Sequence, residues 1–269
     1  VKPLGDLSAE EASGLRGLLF DLDDTLLTHG ALTRVAYDAL WALKDAGLAL
    51  VAVTGRPAGW GRVLARQWPV AGCIAENGAV YVVRDGPGVA CRTMSSDAEL
   101  HEGRLRLARL VERVRQVVPE ATLTDDNDLR ISDVTWDVAE RRRLPEAQAR
   151  AVVREIERAG ARWTQSSVHL HATFDANDKA SGAVRFCAVE LGEETGAALA
   201  RFAFVGDSGN DAPCFAAFRT TFGVANVRAH VARLSVPPRY IASAAMGDGF
   251  AEIAGAILAK RASGGCAAC

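Results

Sequence analysis

The stretch Gly17-Leu18-Leu19-Phe20-Asp21-Leu22-Asp23-Asp24-Thr25-Leu26-Leu27 decides how this chain is read, because a short apolar run ends abruptly in two carboxylates one residue apart. Consecutive apolar residues at 18–20 suit a strand covered on both faces, as in a parallel sheet, and ligand sites in such sheets lie just beyond the carboxyl ends of the strands. On a regular strand Asp21 and Asp23 share a face, and two anions ~4 Å apart repel by about 4 kcal/mol at an effective dielectric of ~20. The pair calls for a cation such as Mg²⁺ or for one carboxyl of raised pKa, and both arrangements serve acid, base and nucleophile chemistry. Taken alone the pattern is weak, since an acidic strand-to-loop turn with Thr25 capping the next helix accounts for it equally well.

The neighbouring sequence extends the sheet. Thr33 to Ala46 carries Val35, Leu40 and Leu43 at near-helical spacing and stops at Gly47, and Leu48 to Val53 reads as a second buried strand. A right-handed parallel crossover then puts Thr54 beside Asp21 at the same edge of the sheet. A helix over 58–67 follows, and Asn77-Gly78 is a hairpin signal between 71–75 and 80–83. Farther on, Asn177-Asp178-Lys179 opens an apolar-periodic helix through Ala183, Val184 and Cys187. A lysine in a first turn opposes the helix dipole, so Lys179 suits an anion better than it suits stability. Phe202 to Val205 is a further core strand, ending in Gly206-Asp207-Ser208-Gly209-Asn210-Asp211, where carboxylates again collect at a strand end. Asp207 and Asp211, joined to Asp21 and Asp23, complete an oxygen-rich site of the hardness Mg²⁺ prefers.

A second unit is expected between the turn-rich stretch Arg84-Asp85-Gly86-Pro87-Gly88, taken as the exit from the first domain, and residue 174. Leu107, Leu110, Val111, Val114, Val117 and Val118 recur with helical period, with arginines on the remaining face. Ala121 to Thr124 and Leu129 to Val138 read as paired strands around an acidic turn at 125–128, Pro145 to Ala159 as a helix and 161–174 as a strand pair. The acidic turn lacks the glycine of a Ca²⁺ loop and is assigned no metal. Val168 to Thr173 alternates, so His169, His171 and Thr173 share one face of a strand. That face either meets bulk water or a partner surface within the protein.

Four short motifs in this order, Phe20-Asp21-Leu22-Asp23-Asp24-Thr25-Leu26-Leu27, Val53-Thr54-Gly55-Arg56-Pro57, Lys179 and Val205-Gly206-Asp207-Ser208-Gly209-Asn210-Asp211, resemble those of the haloacid dehalogenase superfamily of phosphoryl-transfer enzymes. Thr-Gly-Arg-Pro followed by Glu76-Asn77-Gly78-Ala79 is similar to the branch of Cof-like, sucrose-phosphate and mannosyl-3-phosphoglycerate phosphatases. Asp24 stands where many relatives have Gly. The resemblance implies an α/β fold: a Rossmann-like parallel-sheet core (1–84 and 175–269) with an inserted α/β cap of antiparallel sheet plus two helices (85–174). It implies a Mg²⁺-dependent phosphatase acting on a small phosphorylated metabolite such as a sugar phosphate. Asp21 is then the nucleophile, Asp23 the acid and base, and Thr54 and Lys179 the holders of the phosphate. Asp21, the carbonyl of Asp23 and Asp207 bind the metal, supported by Asn210 and Asp211, while Gly55, Arg56, Asn77, His169 and His171 face the substrate. A phosphomutase on the same site and a non-catalytic phosphometabolite sensor remain open alternatives.

With 269 residues, 49% hydrophobic and 24% charged, the chain can bury a full core in two units. Its 31 basic against 33 acidic residues give no electrostatic case for nucleic acid. The longest apolar runs fall far short of the ~20 residues that cross a bilayer, and 1–14 lacks a signal peptide's apolar segment. Cys73, Cys91, Cys187 and Cys214 stand apart among apolar neighbours, as in a reducing, cytoplasmic compartment. Cys266 and Cys269 read as part of a frayed tail.

Overall fold

The computed structural model describes residues 1–166 and 168–265, so Cys266 and Cys269 lie outside the described residues. Its strands are β1 (Lys2–Pro3), β2 (Gly17–Phe20), β3 (Ala49–Val53), β4 (Gly72–Ala75), β5 (Val80–Asp85), β6 (Gly88–Thr93), β7 (Asp133–Asp137), β8 (Arg162–Gln165), β9 (His169–Thr173), β10 (Phe202–Gly206), β11 (Thr220–Gly223) and β12 (Tyr240–Ile241). Its helices are α1 (Ala9–Gly14), α2 (Arg34–Asp45), α3 (Ala58–Gln67), α4 (Asp97–Val117), α5 (Glu146–Arg158), α6 (Lys179–Leu191), α7 (Thr195–Arg201), α8 (Ala212–Ala217) and α9 (Met246–Gly265).

Among the described residues, nine strands form one sheet in the order β1-β12-β11-β10-β2-β3-β4-β5-β6, parallel from β1 to β4 and antiparallel at β5 and β6. Helices cover both faces, which is why the strands are apolar without alternation. Leu18, Phe20, Leu50 and Val205 join Phe250 of α9 on one face, while Leu19, Val51, Val53 and Phe204 join Phe186 of α6 on the other. β2 lies between β3 and β10, with Phe20 opposite both Ala52 and Val205. The residues that follow these three strands, Asp21, Thr54 and Asp207, therefore leave the sheet at one edge, where the chain's winding reverses.

A second sheet, β7-β9-β8, is antiparallel and packs Trp136, Leu170 and Ala172 against Leu107, Leu110 and Val114 of α4 and Val152 and Ile156 of α5. This is the small α/β cap anticipated from sequence, with two corrections to the cap and one to α2 of the core. Residues 84–88 do not lead out of the core: they form the tip of the β5–β6 hairpin, which stays in the large sheet, so the chain crosses to the cap after Thr93 and not at 85. Residues 121–124 form no regular strand, only an isolated bridge from Leu123 to Trp136. On α2 the buried stripe is Ala36, Leu40 and Leu43, at i, i+4 and i+7, and Val35 is exposed.

Gly78 and Gly182 explain how α6 comes so close to the sheet edge. Gly78 has φ +108, and a side chain on Gly182 would begin 2.6 Å from the Gly78 Cα. With no Cβ on either, the first turn of α6 rests on the β4–β5 turn and carries Lys179 inward.

Two buried contacts hold the cap down. The Glu76 carboxylate accepts from the N–H groups of Ala58 (3.0 Å), Ile131 (2.8 Å) and Ser132 (2.6 Å) and from the Ser132 hydroxyl (2.7 Å). In the reverse direction, Arg130 of the cap donates to the Gly55 carbonyl at 3.0 Å.

Candidate active site

Asp21 is buried at the end of β2, and its Oδ1 accepts from the Lys179 ammonium at 2.6 Å. Lys179 also donates to Asp211 Oδ1 at 2.7 Å. Asp21 Oδ2 is left without a hydrogen-bond donor among the described residues. Burial pushes the Asp21 carboxyl up to about 7; Lys179 opposes the rise, and Asp211 and Asp23 add to it. Lys179 is pulled the other way: burial favours the neutral amine, but Asp21 and Asp211 outweigh it and keep the ammonium charged.

Asp207 follows β10. Its Oδ1 accepts from Thr25 at 3.3 Å and its Oδ2 from Asn226 at 2.9 Å, while burial, Asp211 and Asp21 raise its pKa well above the ordinary value. One oxygen from each of Asp21, Asp207 and Asp211 lies within 4.8 Å of the others. This buried all-oxygen set, carrying more negative charge than one ammonium balances, fits a hard divalent cation. Both Asp211 oxygens are already committed, to Lys179 and to the N–H groups of Asp207 and Ser208. Asp211 thus accepts three bonds, two of them on one oxygen, and orients the cluster, whereas each Asp207 oxygen accepts one and keeps a lone pair for a ligand.

The Asp23 carboxylate stands apart from this cluster. Both its oxygens accept from Arg56 Nε at 3.0 Å, with a further bond of 2.6 Å from the guanidinium to Oδ1, and Arg56 stacks on Trp60 with 4.4 Å to the ring centroid. Arg56, expected to face the substrate, is thus bound to Asp23. The chain turns there through Asp24, whose φ of 57 is left-handed. That conformation suits the Gly of many relatives, and Asp is among the few other residues that adopt it readily.

Thr54 is fully buried; its Oγ1 accepts from the Arg56 N–H at 3.1 Å, which leaves its own proton to donate. Asp21, Asp23, Gly55, Asn210, His169 and His171 line one cavity, so the polar face of β9 roofs the strand ends. The two histidines differ within it. His169 Nε2 is held by Glu140 at 2.8 Å. His171 bonds Thr135 Oγ1 through Nδ1 at 2.8 Å, and burial pushes its imidazole down to about 4. Among the described residues Asn210 makes no hydrogen bond to the carboxylate cluster: it accepts from Ser208 at 2.8 Å and donates to Asn77 at 3.5 Å. Asn77, His171, Asn210 and Lys179 also border a cavity of about 130 Å³ reaching Trp163 and Thr164 of β8.

Sequence reading missed Asn226, Arg130 and Asp133, and it quoted Glu76 in a motif without giving it a role. Asn226 follows β11, the next parallel strand, and its amide joins the Asp24 carbonyl (2.9 Å) to Asp207 (2.9 Å). The strand-end rule that singled out Asp207 applies equally to Val224-Ala225-Asn226. Asp133 opens β7 and pairs with Arg130 at 2.9 Å, which holds its carboxyl below the usual range against the effect of burial.

Comparison with known proteins agrees with this geometry. Residues 18–101 match the haloacid dehalogenase-like hydrolase family. Among curated proteins, none matches the chain. The chain is similar in fold to the sucrose-phosphatase from Synechocystis sp. PCC6803, with a TM-score of 0.61 at 16% identity over 93% of this chain and 98% of that one. It is also similar to a haloalkanoate-superfamily phosphatase from Bacteroides thetaiotaomicron (TM-score 0.60, 21% identity, 91% of this chain and 95% of that one). The C-terminal domain of trehalose-6-phosphate phosphatase from C. albicans matches with a TM-score of 0.69 at 13% identity, over 93% of this chain and 95% of that one. The motif-bearing segment thus matches the haloacid dehalogenase-like hydrolase family, and the whole chain shares its fold with these phosphatases.

Proposed function

We propose that the chain is a Mg²⁺-dependent phosphomonoesterase that hydrolyses a sugar phosphate, or a similar small phosphorylated metabolite, through a phosphoryl group carried on Asp21. The observation that carries this reading is the arrangement of Asp21: one oxygen is fixed by Lys179 and the other has no donor among the described residues, beneath a polar roof. Similarity in fold to sucrose- and trehalose-6-phosphate phosphatases supports the sugar ester, as does a cavity walled by hydroxyl, amide, imidazole and indole groups.

Asp21 attacks phosphorus, forming an acyl phosphate as the ester P–O bond breaks, and Asp23 gives its proton to the departing alkoxide. Water then yields a proton to Asp23 and attacks phosphorus, which releases phosphate and restores the Asp21 carboxylate. For this role Asp23 would have to turn out of the Arg56 fork. Thr54 and Lys179 donate to the non-bridging oxygens, where charge spreads in the transition state. Asp21, Asp207 and the main-chain carbonyl of Asp23 would hold Mg²⁺, which when bound screens the incoming dianion from these carboxylates.

The test is a screen of phosphorylated metabolites with Mg²⁺, measuring inorganic phosphate and isomer formation together. Phosphate release from sugar monophosphates, abolished by excess chelator, is expected. Isomer formation without phosphate release would make the chain a mutase, and no turnover of any ester would make it a sensor.

A further inference from the structure

The roof of the site contains a charge relay that the proposed reaction does not use. Arg130, buried, donates to both oxygens of Asp133 at 2.9 and 3.1 Å and to the Gly55 carbonyl at 3.0 Å. Asp133 Oδ2 lies 3.4 Å from His171 Nδ1, and Thr135 Oγ1 lies 2.8 Å from the same nitrogen. The Thr135 hydroxyl could donate or accept, so by itself it leaves the tautomer undecided. Asp133 decides it. Paired with Arg130, it is an anion, and an anion beside an imidazole nitrogen favours a proton on that nitrogen and disfavours a lone pair.

With the proton on Nδ1, the lone pair is on Nε2. That nitrogen has no hydrogen-bond partner among the described residues, and it is 3.1 Å from where a side chain on Gly55 would begin, above the turn after β3. His171 also stands on the boundary between the reaction cavity beside Asp21 and the cavity that reaches Trp163. Burial and the neighbouring Arg130 and His169 disfavour a second proton, so the ring stays neutral. A neutral acceptor here attracts a hydroxyl and offers nothing to a second anionic group.

We propose that Asp133 and Thr135 hold His171 as the Nδ1–H tautomer, so that Nε2 faces the site as a hydrogen-bond acceptor selecting leaving groups with a hydroxyl near the ester. His171 then sets specificity, and Asp133, acting through it, is a positioning residue. The selection rests on the phosphomonoesterase reading; the tautomer does not.

Two measurements test this. With ¹⁵N-labelled imidazoles, a two-bond ¹H–¹⁵N spectrum of the wild-type protein should show His171 Nε2 unprotonated. In Asp133→Asn the Arg130 guanidinium claims the amide oxygen and turns the amide N–H toward Nδ1, so the tautomer should invert. Kinetically, kcat/KM for glycerol 3-phosphate should exceed that for propyl phosphate, which has the same carbon skeleton without hydroxyls. That ratio should fall about tenfold in His171→Phe and in Asp133→Asn, the loss of one neutral hydrogen bond. A protonated Nε2 in the wild type, or a ratio unmoved in both variants, overturns the proposal. Absence of turnover on both esters overturns the phosphatase reading and the hydroxyl selection with it, while the spectrum separately upholds or overturns the tautomer.

Discussion

Lys179 Nζ stands between Asp21 Oδ1 at 2.6 Å and Asp211 Oδ1 at 2.7 Å, with no side-chain surface exposed. An ammonium buried between two carboxylates is held by them, and it fixes in turn one oxygen of Asp21. Removing the cation leaves unpaired buried anions, which costs about 3–5 kcal/mol. Lys179→Met should therefore lower the stability of the metal-free protein by about that amount, read by denaturant unfolding, and lower kcat/KM by about a hundredfold or more.

The raised Asp21 carboxyl predicts how metal and pH interact. Its pKa is 3.8 in the unfolded chain and about 7 in the fold, so between these values the folded state holds a proton that the unfolded state has lost. Stability from this group is complete below about pH 4 and is lost as pH rises toward 7. A cation bound to the cluster competes with that proton. In chelator, Tm should decline across this window, and the rise in Tm on adding Mg²⁺ should be larger at pH 8 than at pH 5. An equal rise at both values would remove Asp21 from the metal site.

Gly182→Ala reverses the usual sign of a glycine replacement within a helix. Alanine in an exposed helix interior stabilises by roughly 0.5–1 kcal/mol. Here the added carbon meets the Gly78 backbone at 2.6 Å, and overpacking costs about 1–3 kcal/mol. Thermal unfolding should show a loss, and kcat should fall as well, because the displaced end of α6 carries Lys179.

How much of this was legible in the sequence follows from where each partner lies. Asp21, Thr54 and Asp207 could be placed together because parallel strands align their carboxyl ends, and Lys179 drew notice because a first-turn lysine works against its own helix. Asn226 could not be joined to Asp24 across 202 residues, nor Arg130 to Gly55 across 75, since no local pattern encodes such pairs. The turn at 84–88 showed that the chain reverses, but turn chemistry does not say whether the next strand rejoins the same sheet. His169 and His171 share a strand face, and only the third dimension separates the one tied to Glu140 from the one with an open nitrogen.

Glu76→Gln should loosen the cap. Every donor that reaches this carboxylate is an N–H or O–H, so an amide NH₂ in its place must face at least one of them. A buried polar clash of this kind costs about 1–3 kcal/mol. Amide hydrogen exchange at Ile131 and Ser132 should quicken, and KM should rise more than kcat falls, because the variant disturbs closure over the substrate and leaves the chemical groups in place.

The most direct test of the account is to locate the phosphoryl group during turnover. With p-nitrophenyl phosphate and Mg²⁺, acid quenching within the first turnover followed by peptide mass spectrometry should find the phosphoryl increment on the peptide containing Asp21. The increment should be absent from Asp21→Asn, which should remain folded. A phosphoryl group on any other residue, or wild-type turnover by Asp21→Asn, would contradict it.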